Sequence, residues 1–199
     1  MKRNIFLIVV LICIGLSSCT KIEVVPTQLK MQVINEQGYS VSGANVYLYE
    51  NQTDFYKDKN VVASGLTDAN GFVYFTNLSP QYNYYFYVQD GCLDNFNNII
   101  HVPYSLEPNA VNSIQPVLIS SVGSIKVQNN SIFPFKILVD NEVYLDNLPA
   151  MSNTTFYEIP AGTHTVEVIQ LSGYVGLPID EIFSNTSVKC GATTVISFP

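Results

Sequence analysis

From Gln28 onward, apolar residues recur at alternate positions in short stretches separated by Gly, Asn, Asp and Pro. A period of two is what a pleated strand with one buried face requires, and no stretch stands out with the 3.6-residue spacing of an amphipathic helix. The first strands expected are Leu29–Ile34, Ala44–Tyr49, Val61–Leu66, Gly71–Thr76, Tyr84–Gln89, Ile99–Val102 and Ser113–Ile119. After a break at Ser120–Gly123 follow Ser124–Gln128, Phe135–Asp140, Thr154–Ile159, Thr163–Gln170 and Ala192–Phe198, with a short helical turn at Pro178–Ser184. Strands at such intervals, punctuated by turn residues, describe an all-β sandwich. The break divides it into two small sandwiches in tandem, each with a modest core.

The alternation also assigns faces. Ala44, Val46 and Leu48 point inward, as do Val73 and Phe75, and Tyr84, Phe86 and Val88. The same strands then turn Tyr47, Tyr49, Phe72, Tyr74, Tyr85 and Tyr87 outward. Between two strands, Asp68-Ala69-Asn70-Gly71 reads as a tight turn, because Asp caps its own backbone and Asn and Gly tolerate positive φ.

Before the first strand the pattern changes. Lys2 and Arg3 precede an apolar run from Ile5 to Leu16, which is too short for a stable membrane span and has the length of a signal-peptide core. It ends in Leu16-Ser17-Ser18-Cys19, which resembles the lipobox of bacterial lipoproteins. That resemblance implies a signal peptide over residues 1–18, a diacylglycerol thioether on Cys19, and a tether over 19–27. It places the mature protein at the envelope of a diderm bacterium, held to a membrane, and by expectation the outer one, through lipid.

Two further resemblances follow from quoted residues. Val33-Ile34 with Gly38, Val41-Ser42-Gly43-Ala44-Asn45-Val46, Thr67-Asp68-Ala69-Asn70-Gly71, Leu78-Ser79-Pro80 and Tyr84 to Val88 resemble the carboxypeptidase regulatory-like, transthyretin-like domain over residues 28–120. Val41 stands where that family has Pro, and Gln81 where it has a turn Gly. Ile137 to Asn141, Ile159-Pro160-Ala161-Gly162-Thr163-His164 and Gly173-Tyr174 are similar to a PEGA-type β-domain, assigned here to residues 121–199. Together they imply transthyretin/Ig-like sandwiches that serve as binding or spacer modules and carry no catalytic residues. A fimbrial subunit or anchor is the alternative; lipoprotein pilins of that type commonly mature by cleavage after an Arg, and no Arg follows Arg3.

Composition narrows the chemistry. The 199 residues carry a formal charge of −7. With Arg3 the sole Arg, the chain lacks the basic stripe that nucleic acid requires. The two His, His101 and His164, belong to no catalytic or metal motif. The stretch from Asp90 to Asn98 is rich in oxygen ligands but lacks calcium-loop spacing, so neither metal nor cofactor is expected. Cys92 and Cys190 fall in different halves and either form a disulfide or remain buried thiols.

The outward aromatics are the remaining candidate site. In a transthyretin-like sandwich the strands of Tyr47/Tyr49 and Tyr85/Tyr87 should be neighbours, joining their rings into one patch. Such a patch either binds a surface protein or a glycan, or is covered from within, by the second half or by the 90–98 loop.

Overall fold

The computed structural model describes residues 26–102, 104–173 and 176–199. The signal segment, Cys19, most of the tether, Pro103 and Tyr174 lie outside the described residues. The chain is all-β with a sandwich-like architecture. In order come β1 (Gln28–Asn35), β2 (Asn45–Tyr49), a short helix α1 (Gln52–Lys57), β3 (Ala63–Leu66), β4 (Phe72–Thr76), β5 (Tyr85–Asp90), β6 (Leu93–Asp94), β7 (Ile100–His101) and β8 (Val111–Ser113). Then follow β9 (Val117–Asn129), β10 (Phe135–Val139), β11 (Glu142–Leu148), β12 (Ser152–Pro160), β13 (Gly162–Gln170), β14 (Asp180–Val188) and β15 (Thr193–Phe198).

Strand β9 organises the molecule. Its first residues pair in parallel with β1, which pairs with β4, while Ser120 and Ser121 pair with β6 and lead to β5, β2 and β3. Its later residues lie between antiparallel β12 and parallel β15. A separate four-stranded sheet, in the order β11-β10-β13-β14, closes over the latter group.

Two hydrophobic clusters result. Leu29, Val46, Val73, Phe86, Val117 and Ile119 belong to the first; Ile125, Val127, Phe135, Ile137, Val166 and Phe198 belong to the second. Each such fully buried side chain contributes roughly 1.5–3 kcal/mol of hydrophobic stabilisation. The boundary expected at Ser120–Gly123 falls between the two clusters, in the middle of β9, which crosses it as one continuous strand. Ser and Gly resemble loop residues in sequence, yet Gly123 is small here because the turn between β14 and β15 presses upon it.

The turn at Asp68 forms as the sequence reads. Its Oδ1 accepts the backbone N–H groups of Asn70 (2.8 Å) and Phe72 (2.9 Å). Gly71 has φ +75°, and a Cβ there would lie 2.7 Å from the Val33 carbonyl oxygen, so Gly is required twice over. Thr67 ties this turn to the preceding loop: its hydroxyl accepts from Ala44 N–H and donates to the Val41 carbonyl. At the β10–β11 hairpin, Asp140 and Asn141 both take positive φ, the geometry of a two-residue turn matched to strand twist.

The chain departs from the sequence reading at β11, β14 and α1. Pro178–Ser184 holds no helical turn; Asp180 onward is the strand β14. Strands β11 and β14 are the edges of the four-stranded sheet, largely exposed, so they carry little of the alternation that a buried face imposes. Helix α1 buries only Phe55, too little to produce a helical period.

Candidate functional site

The outward tyrosines of β2 and β5 come together as expected. Tyr47 lies opposite Tyr87 and Tyr49 opposite Tyr85, and the Tyr47 and Tyr87 rings stack at 6.2 Å. Phe72 and Tyr74 do not join them. They sit on the β1–β4 pair, where the Lys30 ammonium lies 4.0 Å from the Phe72 ring centre. Alternation sorts residues between the faces of one strand, but strand order decides which faces meet.

The β2–β5 face is also partly covered. After β2 the chain turns at Asn51, whose side-chain oxygen caps the helix by accepting from Asp54 N–H (3.0 Å). One turn later Phe55 drops onto the tyrosines, with ring centres 5.9 Å from Tyr49 and 6.4 Å from Tyr85 and Tyr87. Phe96, from the loop after β6, stacks on Phe55 at 5.7 Å. Tyr49 is therefore buried, not outward, and its hydroxyl donates to Asp58 Oδ1 at 2.7 Å. Burial first, then the Asp58 carboxylate, pushes the Tyr49 hydroxyl well above its ordinary pKa. Asn51 three residues before Asp54, a pattern typical of helix starts, is the sequence signal that marks this helix.

Beyond Tyr87 the face meets β12. Between Phe156 and Ile159 the β12–β9 register shifts, and Glu158 takes φ +58°. A bulge of this kind re-aims a side chain, and left-handed backbone at a non-Gly residue is sustained only by its surroundings. Here Asn97 Nδ2 donates to the Glu158 carbonyl at 2.6 Å, and the Tyr87 hydroxyl faces Glu158 Oε1 at 3.4 Å. A cleft of about 230 Å³ opens between α1 and β12, lined by Phe55, Tyr56, Asp58, Tyr87, Phe96 and Glu158 among others. Tyr87 and Glu158 also border a wider depression of about 500 Å³ that contains Asp94. Asp94 falls in the oxygen-rich 90–98 stretch, on β6; no sequence pattern singled out Asp58 or Glu158, which reach the site through the helix cap and the bulge.

Asp94 is only 3% exposed, and its Oδ1 accepts from Phe96 N–H at 3.1 Å. Burial raises its pKa above 3.8, partly offset by that hydrogen bond. Glu158 is raised above 4.5 by burial and by the charge of Asp94. Asp140 is shifted the other way, lowered chiefly by Thr165 N–H and then by His164. For Asp94 and Glu158 the folded state holds protons that the unfolded state has released, so stability falls as pH climbs from their ordinary to their raised values. For Asp140 stability is lost as pH drops below the ordinary aspartate range. Melting temperature is therefore expected to peak in mildly acidic solution and to decline towards neutrality. Glu158→Gln flattens the decline; a thermal melt series across pH, read by circular dichroism, checks both.

The other sequence candidates resolve as follows. Cys92 and Cys190 lie with Cα atoms 5.4 Å apart and their sulfurs in bonding contact. His164 is engaged at both ring nitrogens, Nδ1 with Asp140 (2.6 Å) and Nε2 with the Pro160 carbonyl oxygen (2.8 Å). His101 is exposed on β7 and stacks on Tyr85 at 5.3 Å. Within the 90–98 stretch, the buried Asn95 amide accepts from Val88 N–H and donates to the Phe86 carbonyl, pairing with β5 as a strand would. Among the described residues no cluster of His, Cys, Asp and Glu is arranged to hold a metal, and no helix is long and apolar enough to cross a membrane.

No family model matches the chain, and no curated protein matches it. Among solved structures it is similar to a streptococcal ancillary pilin, at 15% identity and a TM-score of 0.39, over 88% of this chain and 62% of that one. The shaft pilin SpaA of Lactobacillus rhamnosus GG shares 9% identity at a TM-score of 0.34, over 87% and 98% of the two chains. A DUF3823 family protein of Bacteroides ovatus shares 12% at 0.34, over 78% and 95%. The chain thus spans under two thirds of the ancillary pilin's length. At such TM-scores and identities the likeness carries no information on function.

Proposed function

We propose that this chain is a non-enzymatic, lipid-anchored binding module of a diderm cell envelope, held at the outer membrane through Cys19. Its partner is a surface protein, engaged at the cleft between α1 and β12. The observation that supports this reading most is the cleft itself, where aromatic rings from α1, β5 and the loop after β6 meet the carboxylates of Asp58 and Glu158. Rings with polar tips are the side chains that dominate protein recognition, and here they surround an opening and do not close over it. The cysteines are in mutual contact, so neither is presented as a free thiol for a Cys–His pair with His101. The anchor rests on Leu16-Ser17-Ser18-Cys19, and the binding-module reading agrees with the carboxypeptidase regulatory-like and PEGA-like resemblances.

The test is capture from envelope fractions by the full chain. Tyr56 is half-exposed at the cleft and Tyr74 equally so on the β1–β4 pair. Tyr56→Ser is expected to abolish capture of the partner, and Tyr74→Ser to leave it intact. Capture unaffected by Tyr56→Ser overturns the cleft as the interface, and labelled palmitate that still attaches to a Cys19→Ala chain overturns the anchor.

A further inference from the structure

We infer that the cleft between α1 and β12 is a binding site for an alkylammonium group, presented by a lysine side chain or by a small quaternary amine. The inference deepens the proposed binding role and rests on it. Five aromatic rings surround the cleft; Tyr49 and Phe55 are buried and form its floor, while Tyr56, Tyr87 and Phe96 present ring surface to it, together with Asp58 and Glu158. No Lys, Arg or His is among these residues. A ring face attracts a cation through its quadrupole, and the attraction grows as water is excluded, which is why cages of aromatic side chains recognise ammonium groups.

The two carboxylates supply the net charge. Asp58 caps the end of α1 and Glu158 stands on the β12 bulge, so they enter from different elements. Each is engaged through one oxygen by a tyrosine hydroxyl, Asp58 by Tyr49 and Glu158 by Tyr87, which leaves its other oxygen without a partner among the described residues. The ion pair formed among the described residues joins His164 to Asp140, so neither cleft carboxylate is matched by a cation among those residues. Glu158, raised in pKa by burial and by Asp94, gains from a cation that restores its charge balance.

Size completes the argument. A cleft of about 230 Å³ falls below the roughly 300–1,000 Å³ of pockets that enclose drug-sized ligands. It suits a head group whose remaining bulk lies outside. Anions are excluded by the carboxylates.

The experiment titrates the full chain in detergent micelles with four probes, read by calorimetry. These are choline, its neutral analogue 3,3-dimethylbutan-1-ol, a lysine-containing peptide, and the same peptide with the lysine acetylated. Saturable binding of choline or of the lysine peptide is expected, with the neutral analogue or the acetylated peptide at least about tenfold weaker. Glu158→Gln and Tyr56→Ala should each weaken the charged probe by a similar factor, while Tyr74→Ala leaves it unchanged. Tighter choline assigns the site to a small amine, and tighter lysine peptide to a protein partner. Absence of saturable binding, or equal binding of charged and neutral probes, overturns the inference. If that happens while partner capture still depends on Tyr56, the ammonium specificity alone is wrong; if capture is also independent of Tyr56, the reading beneath it falls too.

Discussion

Replacing Cys92 and Cys190 together by Ala is expected to lower the unfolding free energy by about 4 kcal/mol and the melting temperature by roughly 10 °C. The two residues are 98 positions apart, so a bond between them closes a loop spanning about half of the chain. A cross-link over that length removes many conformations from the unfolded chain, and the stabilisation grows with loop size. The contact also joins the two hydrophobic clusters. Cys92 precedes β6, which pairs with β9 beside the first cluster, and Cys190 lies in the turn between β14 and β15 beside the second. Scanning calorimetry with and without reductant checks the expectation. The wild-type melt should fall in reductant to that of the double variant, and the variant should not respond. A wild-type melt indifferent to reductant shows that the sulfurs are not joined.

Gly123→Ala, in the middle of β9, is expected to cost about 3 kcal/mol, a large value for one methyl group. A Cβ there would collide with the Lys189 carbonyl oxygen and lie 2.8 Å from Val188 Cγ1 and 2.9 Å from the Ala192 carbonyl oxygen. Those backbone atoms have little room to retreat. Ser124 N–H donates to the Ala192 carbonyl and Gly191 N–H to the Val122 carbonyl, both at 2.9 Å, so the turn is laced to β9 on either side of Gly123. Gly38→Ala is the control. Its φ is +81° with nothing within 4 Å of a Cβ, so only the conformational penalty of about 1 kcal/mol applies. Urea unfolding of both variants measures the difference, and equal losses would contradict the steric account.

The two sites explain each other. The Cys92–Cys190 turns grip β9 where the sequence suggested a break, and Gly123 is small because they approach so closely. Serine and glycine in sequence mark either a loop or a place where something packs against backbone, and only the neighbours tell which. The aromatic cleft repeats the lesson. Tyr47, Tyr49, Tyr85 and Tyr87 were legible as one face, because a period of two sets them on one side of each strand and the transthyretin-like resemblance implies that the strands are neighbours. Cover by the 90–98 loop was one of the alternatives the sequence left open, and Phe96 supplies it; that Phe55 would lie beneath it and bury Tyr49 was not legible, since one apolar residue in a six-residue helix carries no period. Glu158 was invisible for a further reason: its place in the alternation of a strand says nothing of a bulge, and the contact made there, from Asn97 to the Glu158 carbonyl, comes from a loop far away in the chain.

By itself the sequence determined the all-β class, the inward residues Ala44, Val46, Leu48, Val73, Phe75, Tyr84, Phe86 and Val88, and the turn at Asp68 to Gly71. Each of these depends on local chemistry: the pleat repeats every two residues, and a tight turn needs its Asp, Asn and Gly in place. Tertiary structure alone decided that β9 would run through both clusters, that β11 and β14 would be edge strands, and that Asp58, Asp94 and Glu158 would gather around Tyr87. Those outcomes depend on contacts between residues far apart in the chain, where burial and hydrogen bonding across the fold outweigh any preference a short segment holds alone.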